Sequence, residues 1–257
     1  MSPASVEMLD NLARVRERIE TAASRAGRLA EDVTMVAVSK TQPACKIREL
    51  YEAGVRHFGE NRVQERELKL AEVAGLGINW HMIGHLQKNK AARAVRLFDT
   101  IDSLDSVALA ERLDQASANF ATESVEGTGK SASARTNSER FARANQLRVL
   151  IEVKLDAEPA KSGVEVEGLP GLTEAILRLQ HLNLLGLMGV PPHLDDPEKV
   201  RPFFRRLREL RDGLRAGRNP EFLPVLSMGM SHDFEAAIEE GATEIRVGTA
   251  LFGARGT

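Results

Sequence analysis

The chain alternates short apolar runs with longer amphipathic stretches, and this alternation limits the folds that it can adopt. Eight runs have the length and composition of buried strands: 33–39, 56–59, 80–83, 100–103, 148–154, 183–189, 224–228 and 244–248. Most of the segments between them space their apolar residues as helices do. Repeated strand–helix units predict a parallel sheet closed into a barrel. An open doubly wound sheet is the competing architecture, but no GxGxxG motif stands at a strand–helix turn.

The predicted fold is a single α/β domain, a (β/α)8 TIM-type barrel over residues 1–257, and barrels of this size are common. Apolar residues recur at helical spacing over residues 5–26, which predicts an extra N-terminal helix before the first strand. Residues 117–145 are rich in Ser, Thr, Ala and Gly and poor in large apolar groups. We therefore expect the middle of this segment to form a flexible insertion, with a lid or a partner-docking loop as the alternative.

Charge and composition argue against several classes of function. The net charge of −2 gives no general attraction for nucleic acid or anionic membranes. The basic segment 203–218 keeps its apolar residues on one helical face, which favours an exposed barrel helix over a nucleic-acid patch. One cysteine, Cys45, allows no disulfide within the chain. No run approaches the ~18 apolar residues of a membrane span, and the N-terminus lacks the apolar segment of a signal peptide. These features predict a cytoplasmic protein.

Reactive and polar residues follow the first two predicted strands, at the barrel end where ligands bind. The first strand ends at Ser39 and Lys40. Burial lowers the pKa of a lysine in such a place and leaves its amine nucleophilic, as a Schiff-base lysine requires. Taken alone, Lys40 is more simply explained as the point where the strand meets water. After the second strand, Asn61 offers both amide donors and an acceptor.

The seventh and eighth strands end in segments suited to phosphate. They read SMGMS over residues 227–231 and RVGT over residues 246–249. Loops after these two strands are where barrels commonly hold phosphate. We expect the backbone N–H groups of Gly248 and Thr249 to be free to meet one. Ser231 is expected to cap the helix that follows the seventh strand.

Two histidines, His81 and His85, are four residues apart. On a helix this spacing would suit a metal pair. Here the two residues straddle a strand end and a glycine, and no third ligand with suitable spacing stands nearby. We therefore predict no metal site.

Five motifs give the chain a family resemblance. VAVSK, HFGENRVQE, WHMIGHLQKNK, LLGLMGV and LSMGMSHDFEAAIEEGATEIRVGTALFG resemble, in order, the motifs of the pyridoxal phosphate homeostasis protein family (YggS/PROSC-like). The resemblance runs from about residue 33 to residue 253. Members of that family are similar in fold to the N-terminal barrel of alanine racemase and lack its C-terminal β-domain. Since this chain ends at Thr257, we expect no such domain here.

The resemblance implies a set of residues for pyridoxal 5′-phosphate (PLP). Lys40 would form the Schiff base, Arg246 would face the pyridine nitrogen, Asn61 would lie beside the ring, and Ser227, Met228, Gly248 and Thr249 would hold the phosphate. Because an arginine stays protonated, the pyridine nitrogen beside it stays unprotonated and the ring is a weaker electron sink. The chain departs from the family pattern at Lys154, where the family usually has asparagine.

The implied function is intracellular PLP homeostasis: binding, buffering or delivering the cofactor to PLP-dependent apoenzymes, with effects on amino-acid and keto-acid balance and without efficient catalysis. The alternatives are a PLP-dependent amino-acid racemase and a protein-docking barrel with PLP as a sensor ligand. Racemisation needs a base on each face of the substrate carbon. The racemase supplies the second base as a tyrosine from its C-terminal domain, and the only tyrosine here, Tyr51, lies in a helical stretch. His85 remains an alternative second base. A monomer is expected.

Overall fold

Eight parallel strands close into one barrel in chain order. The structure is a computed structural model that describes residues 3–126, 146–156 and 162–253. The strands are β1 Thr34–Val38, β2 His57–Glu60, β3 Asn79–Met82, β4 Thr100–Leu104, β5 Leu147–Val153, β6 Leu182–Gly189, β7 Val225–Met230 and β8 Glu244–Val247. The ring closes between β8 and β1, where Val36 pairs with Arg246. The predicted TIM-type barrel is confirmed, and every strand boundary falls within two residues of the prediction.

Helices cover the outside of the barrel. They are α1 Pro3–Arg25, α2 Ala44–Glu52, α3 Val63–Lys69, α4 Ala91–Leu97, α5 Val107–Glu126, α6 Leu169–Leu177, α7 Arg201–Arg215, α8 Phe234–Glu239 and α9 Thr249–Phe252. Alternation along each strand sends one set of side chains outward beneath the helices. This layer is apolar and includes Phe58, Leu226 and Ile245, all fully buried. The other set fills the barrel interior, which includes buried polar groups such as His81 and Arg246.

The extra N-terminal helix, α1, packs against the last two helices of the barrel. Arg18 pairs with Glu235 at 2.6 Å, and its guanidinium lies 4.3 Å from the centre of the Phe234 ring. Asn11 Nδ2 donates a hydrogen bond to the carbonyl oxygen of Leu251 at 3.1 Å. These contacts join α1 to α8 and α9, so the predicted helix is part of the barrel's outer layer.

The segment predicted as a flexible insertion, 117–145, begins inside a regular helix. Helix α5 extends to Glu126, and Ser117 within it is fully buried. Residues 127–145 lie outside the described part of the chain. The prediction of flexibility therefore stays a prediction for those residues, whereas the first part of the segment is helical.

The basic helix α7 is held against the barrel by acidic partners. Arg201, Arg205 and Arg208 all contact the Glu240 carboxylate, at 3.6, 2.8 and 3.1 Å. Phe204 and Leu207 on the opposite face are fully buried. This is the arrangement of an exposed barrel helix. Among the described residues, none of the helices has the length and apolar character needed to cross a membrane.

Candidate functional site at the barrel mouth

Lys40 lies at the mouth of the barrel, where the carboxyl ends of the strands meet. It is half-buried and stands two residues beyond the end of β1. The N–H of Gln42 donates to the carbonyl oxygen of Ser39 at 3.0 Å, so residues 39–42 form a tight turn with Lys40 at its second position. Thr41, at the third position, has a φ of 64°. The sequence therefore predicts the place of Lys40 correctly, although not the unusual backbone beside it.

The end of β8 lies directly against the end of β1. Ala37 pairs with Val247, so the next residues along, Val38 and Gly248, are neighbours. A Cβ placed on Gly248 would lie 3.5 Å from the Cβ of Val38. The Lys40 turn and the turn at Gly248 and Thr249 are therefore adjacent at the mouth.

Ser231 joins the ends of β7 and β8. Its Oγ accepts hydrogen bonds from the N–H of Gly248 at 3.1 Å and from that of Ala250 at 3.2 Å. The expectation that the Gly248 N–H is free was wrong. The expectation that Ser231 caps the helix after β7 was also wrong, because barrel closure brings the start of α9 next to it and Asp233 takes the cap position of α8. Thr249 is exposed to solvent.

Ser227 and Met228 lie below the mouth, within β7. Both are fully buried. Ser227 faces the barrel interior, where its Oγ accepts a hydrogen bond from Arg246 Nη1 at 2.7 Å. Met228 points the other way and belongs to the apolar layer under the helices. Their role as phosphate contacts stays a prediction, and Ser231 is the hydroxyl that lies beside the Gly248 turn.

Arg246 is fixed inside the barrel just beneath the mouth. It is 4% exposed, and its second Nη donates to the carbonyl oxygen of Gly189 at 2.9 Å. Burial lowers the pKa of Arg246, while nearby carboxylates, chiefly Glu244 and Asp102, act in the opposite direction. A guanidinium keeps its proton in such surroundings. The group is therefore a rigid cation that faces the interior from β8.

Asn61 lies at the edge of a cavity of about 290 Å³ at the mouth. The residues that line the cavity are Asn61, Ile83, Gly84, His85, Glu152, Val153, Lys154, Leu155, Ser162 and Val190. The backbone of Asn61 packs tightly on Gly84, since a Cβ on that glycine would collide with the Asn61 carbonyl oxygen. Lys154, the residue that departs from the family pattern, pairs with Glu165 at 2.8 Å.

Glu152 is a buried carboxyl group in this cavity that the sequence analysis missed. Its Oε1 accepts a hydrogen bond from Ser162 at 3.0 Å, whereas Oε2 is buried without a partner among the described residues. Burial raises the pKa of Glu152. A signal was available in the sequence, because Glu152 is an acidic residue inside the apolar strand run LIEV.

A second missed group fills the barrel interior around His81. Its Nδ1 lies 3.1 Å from Asp102 and 3.8 Å from Glu244, and its Nε2 lies 3.0 Å from Nδ1 of His57. Burial lowers the pKa of His81, but the two carboxylates outweigh it and raise the pKa to about 9. The three ligand-type atoms lie within 4.8 Å of one another, a spacing that a protonated His81 explains without a metal ion. His85 lies apart from this group and pairs with Asp105 at 3.1 Å.

Tyr51 lies away from the mouth. Its hydroxyl accepts a hydrogen bond from the N–H of Gly77, which precedes β3, and Arg56 stacks 4.2 Å from its ring centre. The start of a strand is at the opposite end of a parallel barrel from the mouth. This confirms the expected place of Tyr51 on a barrel helix, away from Lys40.

Comparison with known proteins supports the resemblance over almost the whole chain. The family model for the alanine racemase N-terminal domain matches residues 11–256. The pyridoxal phosphate homeostasis protein of Aquifex aeolicus is 44% identical over 246 residues, which cover 96% of this chain and 97% of that protein. The structure of PipY from Synechococcus elongatus PCC7942 with PLP bound is 37% identical, with a TM-score of 0.72 over 93% of this chain and 100% of that one.

Alanine racemase shares the barrel at a greater distance. The enzyme from Corynebacterium glutamicum is 17% identical, with a TM-score of 0.61, and the match covers 95% of this chain but 61% of the racemase. This likeness shows the fold alone. Identity above 35% with near-complete coverage on both sides is found instead with the homeostasis proteins. The chain therefore belongs to the pyridoxal phosphate homeostasis protein family, within the larger group that shares the alanine racemase N-terminal domain.

Proposed function

We propose that this chain binds PLP at the barrel mouth, covalently through Lys40 Nζ, and serves intracellular homeostasis of the cofactor by binding, buffering and delivering it. When bound, PLP supplies an aldehyde that a lysine amine can hold, a phosphate and an electron-withdrawing pyridine ring. The observation that carries the proposal is the adjacency of the Lys40 turn and the Gly248 turn. It sets the Lys40 amine beside the Ser231 hydroxyl and the Thr249 backbone, as a ligand with both an aldehyde and a phosphate requires.

Each residue around the mouth has a distinct part in this proposal. Lys40 holds the cofactor. The Ser231 hydroxyl and the backbone N–H of Thr249 orient the phosphate, while the Gly248 N–H holds Ser231 in place. Arg246 faces the pyridine nitrogen from inside the barrel, and Asn61 lies beside the ring.

The protein is proposed to be a carrier rather than an efficient enzyme. A racemase needs a base on each face of the substrate carbon. Tyr51 lies at the other end of the barrel, so it does not meet that need. His85, which pairs with Asp105 and lines the cavity, is the candidate second base under the racemase alternative.

We also propose a cytoplasmic monomer that delivers PLP to apoenzymes dependent on it. Cys45 is a free, exposed thiol, which suits a reducing compartment. Relatives matched over nearly their full length carry the homeostasis name, which supports a role shared across the family.

The binding proposal is tested by absorbance. Purified protein mixed with PLP is expected to show a band near ~420 nm, the range of a lysine-bound PLP chromophore. Lys40→Ala is expected to lose the band and stay folded, whereas Lys88→Ala, which removes an exposed lysine after β3, keeps it. A band that persists in Lys40→Ala would move the attachment to another lysine and contradict the proposal.

The carrier proposal needs a separate measurement. The loaded protein is incubated with L-alanine, and D-alanine is followed by chiral chromatography. We expect no turnover on the scale of ordinary enzymes, on the order of 1 s⁻¹ or more. Turnover at that rate, lost in His85→Ala, would establish the racemase alternative instead.

A further inference from the structure

The turn that presents Lys40 has a backbone that its own sequence does not favour. Thr41 has a φ of 64°, at the third position of the turn closed by the Ser39–Gln42 hydrogen bond. That position normally takes glycine or asparagine, because a side chain with a branched Cβ is strained at positive φ. A strained conformation of this kind persists only where the surrounding structure holds it.

A buried ion pair between Glu60 and Lys69 contacts this turn. Lys69 Nζ, at the end of α3, donates to the carbonyl oxygen of Ser39 at 2.7 Å and to Glu60 Oε1 at 2.6 Å. Ser39 Oγ donates to the same carboxylate oxygen at 2.7 Å. The carbonyl that closes the turn therefore accepts a second, charged hydrogen bond from beneath.

Burying the Glu60–Lys69 ion pair carries a large desolvation cost. The Glu60 side chain is fully buried and that of Lys69 is 10% exposed. Glu60 Oε2 has no partner among the described residues, and burial raises the pKa of Glu60. Buried ion pairs are often no more stabilising than apolar side chains of similar volume. Stability alone is therefore a poor reason for the pair.

Its position suggests a better reason. Lys69 binds Ser39 and Glu60. Ser39 directly precedes Lys40, and Glu60 directly precedes Asn61. We propose that the Glu60–Lys69 ion pair is a positioning device that holds the strained Ser39–Gln42 turn and so presents the Lys40 amine toward the cofactor. This inference rests on the proposed function, since it assumes that Lys40 binds PLP.

Thr41→Gly separates positioning from simple structural support. Glycine adopts a positive φ without strain, so the turn then needs less help to keep its shape. If Lys69 acts by holding the turn, Thr41→Gly restores cofactor capture to a Lys69→Met protein. If Lys69 only supports the fold, the glycine has no such effect.

The experiment uses apoprotein mixed with PLP and follows the lysine-bound band to obtain a capture rate and a dissociation constant. Lys69→Met is expected to weaken capture by about 10-fold or more, a size that corresponds to the cost of one strained residue. Lys69→Met with Thr41→Gly is expected to recover most of it. Arg205→Met, which breaks the ion pair between α7 and Glu240 at the C-terminal end of α8, serves as the control and leaves capture unchanged.

Urea unfolding of each apoprotein accompanies the capture measurements. If Lys69→Met does not fold, Glu60→Gln with and without Thr41→Gly makes the same comparison. Unchanged capture in the ion-pair variants, or a defect that Thr41→Gly leaves in place, overturns the inference. Absence of the band in the wild-type protein would instead contradict the proposed function, so the two failures are distinct.

Discussion

Arg246 Nη1 donates a hydrogen bond to Ser227 Oγ at 2.7 Å, deep in the barrel where neither residue is more than 4% exposed. This hydrogen bond links β7 to β8, where the buried Glu244 carboxylate stands two residues before Arg246. This link places a fixed positive charge below the mouth before any ligand arrives. Preorganised charge of this kind needs no rearrangement on binding.

Replacing Arg246 with methionine should therefore be costly. The change leaves the Ser227 hydroxyl and the Gly189 carbonyl without their charged donor, and leaving a buried polar group unsatisfied costs about 1–3 kcal/mol. Urea unfolding measures this loss in the free energy of unfolding. Arg205→Met, on the outer face of α7, should leave the midpoint near the wild-type value. Equal effects of the two substitutions would contradict the assigned role of Arg246.

Strand positions and Lys40 are predictable because they depend on local patterns. An apolar run of four to eight residues indicates a strand, whichever strand it later pairs with. Ser231 was misassigned for the same reason. Capping rules refer to the next helix in the sequence, whereas the hydroxyl bonds the N–H groups of Gly248 and Ala250 in the next strand–helix unit.

The polar interior could not be derived in this way. His81 on β3, Asp102 on β4 and Glu244 on β8 meet only when the barrel closes. Charged residues within apolar strand runs do indicate that polar side chains lie inside the barrel. They do not reveal which of these side chains meet across the barrel. The protonation state of each side chain depends on those neighbours.

The protonated His81 makes stability depend on pH. Its pKa is about 9 in the folded protein, against 6.5 when unperturbed. Stability from His81 is therefore full below pH 6.5 and is lost as pH rises toward 9, by up to about 3 kcal/mol. Urea unfolding between pH 6 and ~9.5, which brackets the two pKa values, measures the decline.

His81→Gln removes the titrating group and should flatten this decline, whereas His193→Ala, at an exposed histidine, should preserve it. A decline of the same size in wild type and His81→Gln would show that other groups cause it.

Gly84 is required by the close approach of Asn61. A Cβ at residue 84 would lie 2.8 Å from the Asn61 Cα, and backbone cannot yield as a flexible side chain does. Gly84→Ala should therefore lower the free energy of unfolding by about 1–3 kcal/mol. Gly171→Ala in α6 is the matched control, because its Cβ would meet no atom within 4 Å.

Gly171 is in the first turn of α6 with a backbone that alanine can adopt, so Gly171→Ala should stabilise by about 0.4–1 kcal/mol because the unfolded chain loses conformational freedom. Denaturant midpoints and slopes give the free energy of unfolding of both variants. Two alanine variants of similar stability would mean that the Asn61 backbone is more mobile than its packing indicates.

Either Ser231 or Ser227 is the serine that binds the phosphate, and substitutions can distinguish the two assignments. Ser231 bonds the N–H groups of Gly248 and Ala250, whereas Ser227 is buried below them against Arg246. If Ser231 orients the phosphate, Ser231→Ala should weaken PLP more than pyridoxal, which has no phosphate. The dissociation constants come from absorbance titration of each variant with each ligand.

Ser227→Ala should weaken both ligands by the same factor, because it acts through Arg246 and the ring that the two ligands share. The ratio of the two dissociation constants is therefore the informative quantity, and it is insensitive to a general loss of stability. A ratio changed by Ser227→Ala and unchanged by Ser231→Ala would instead assign the phosphate contact to Ser227, as the family resemblance implied.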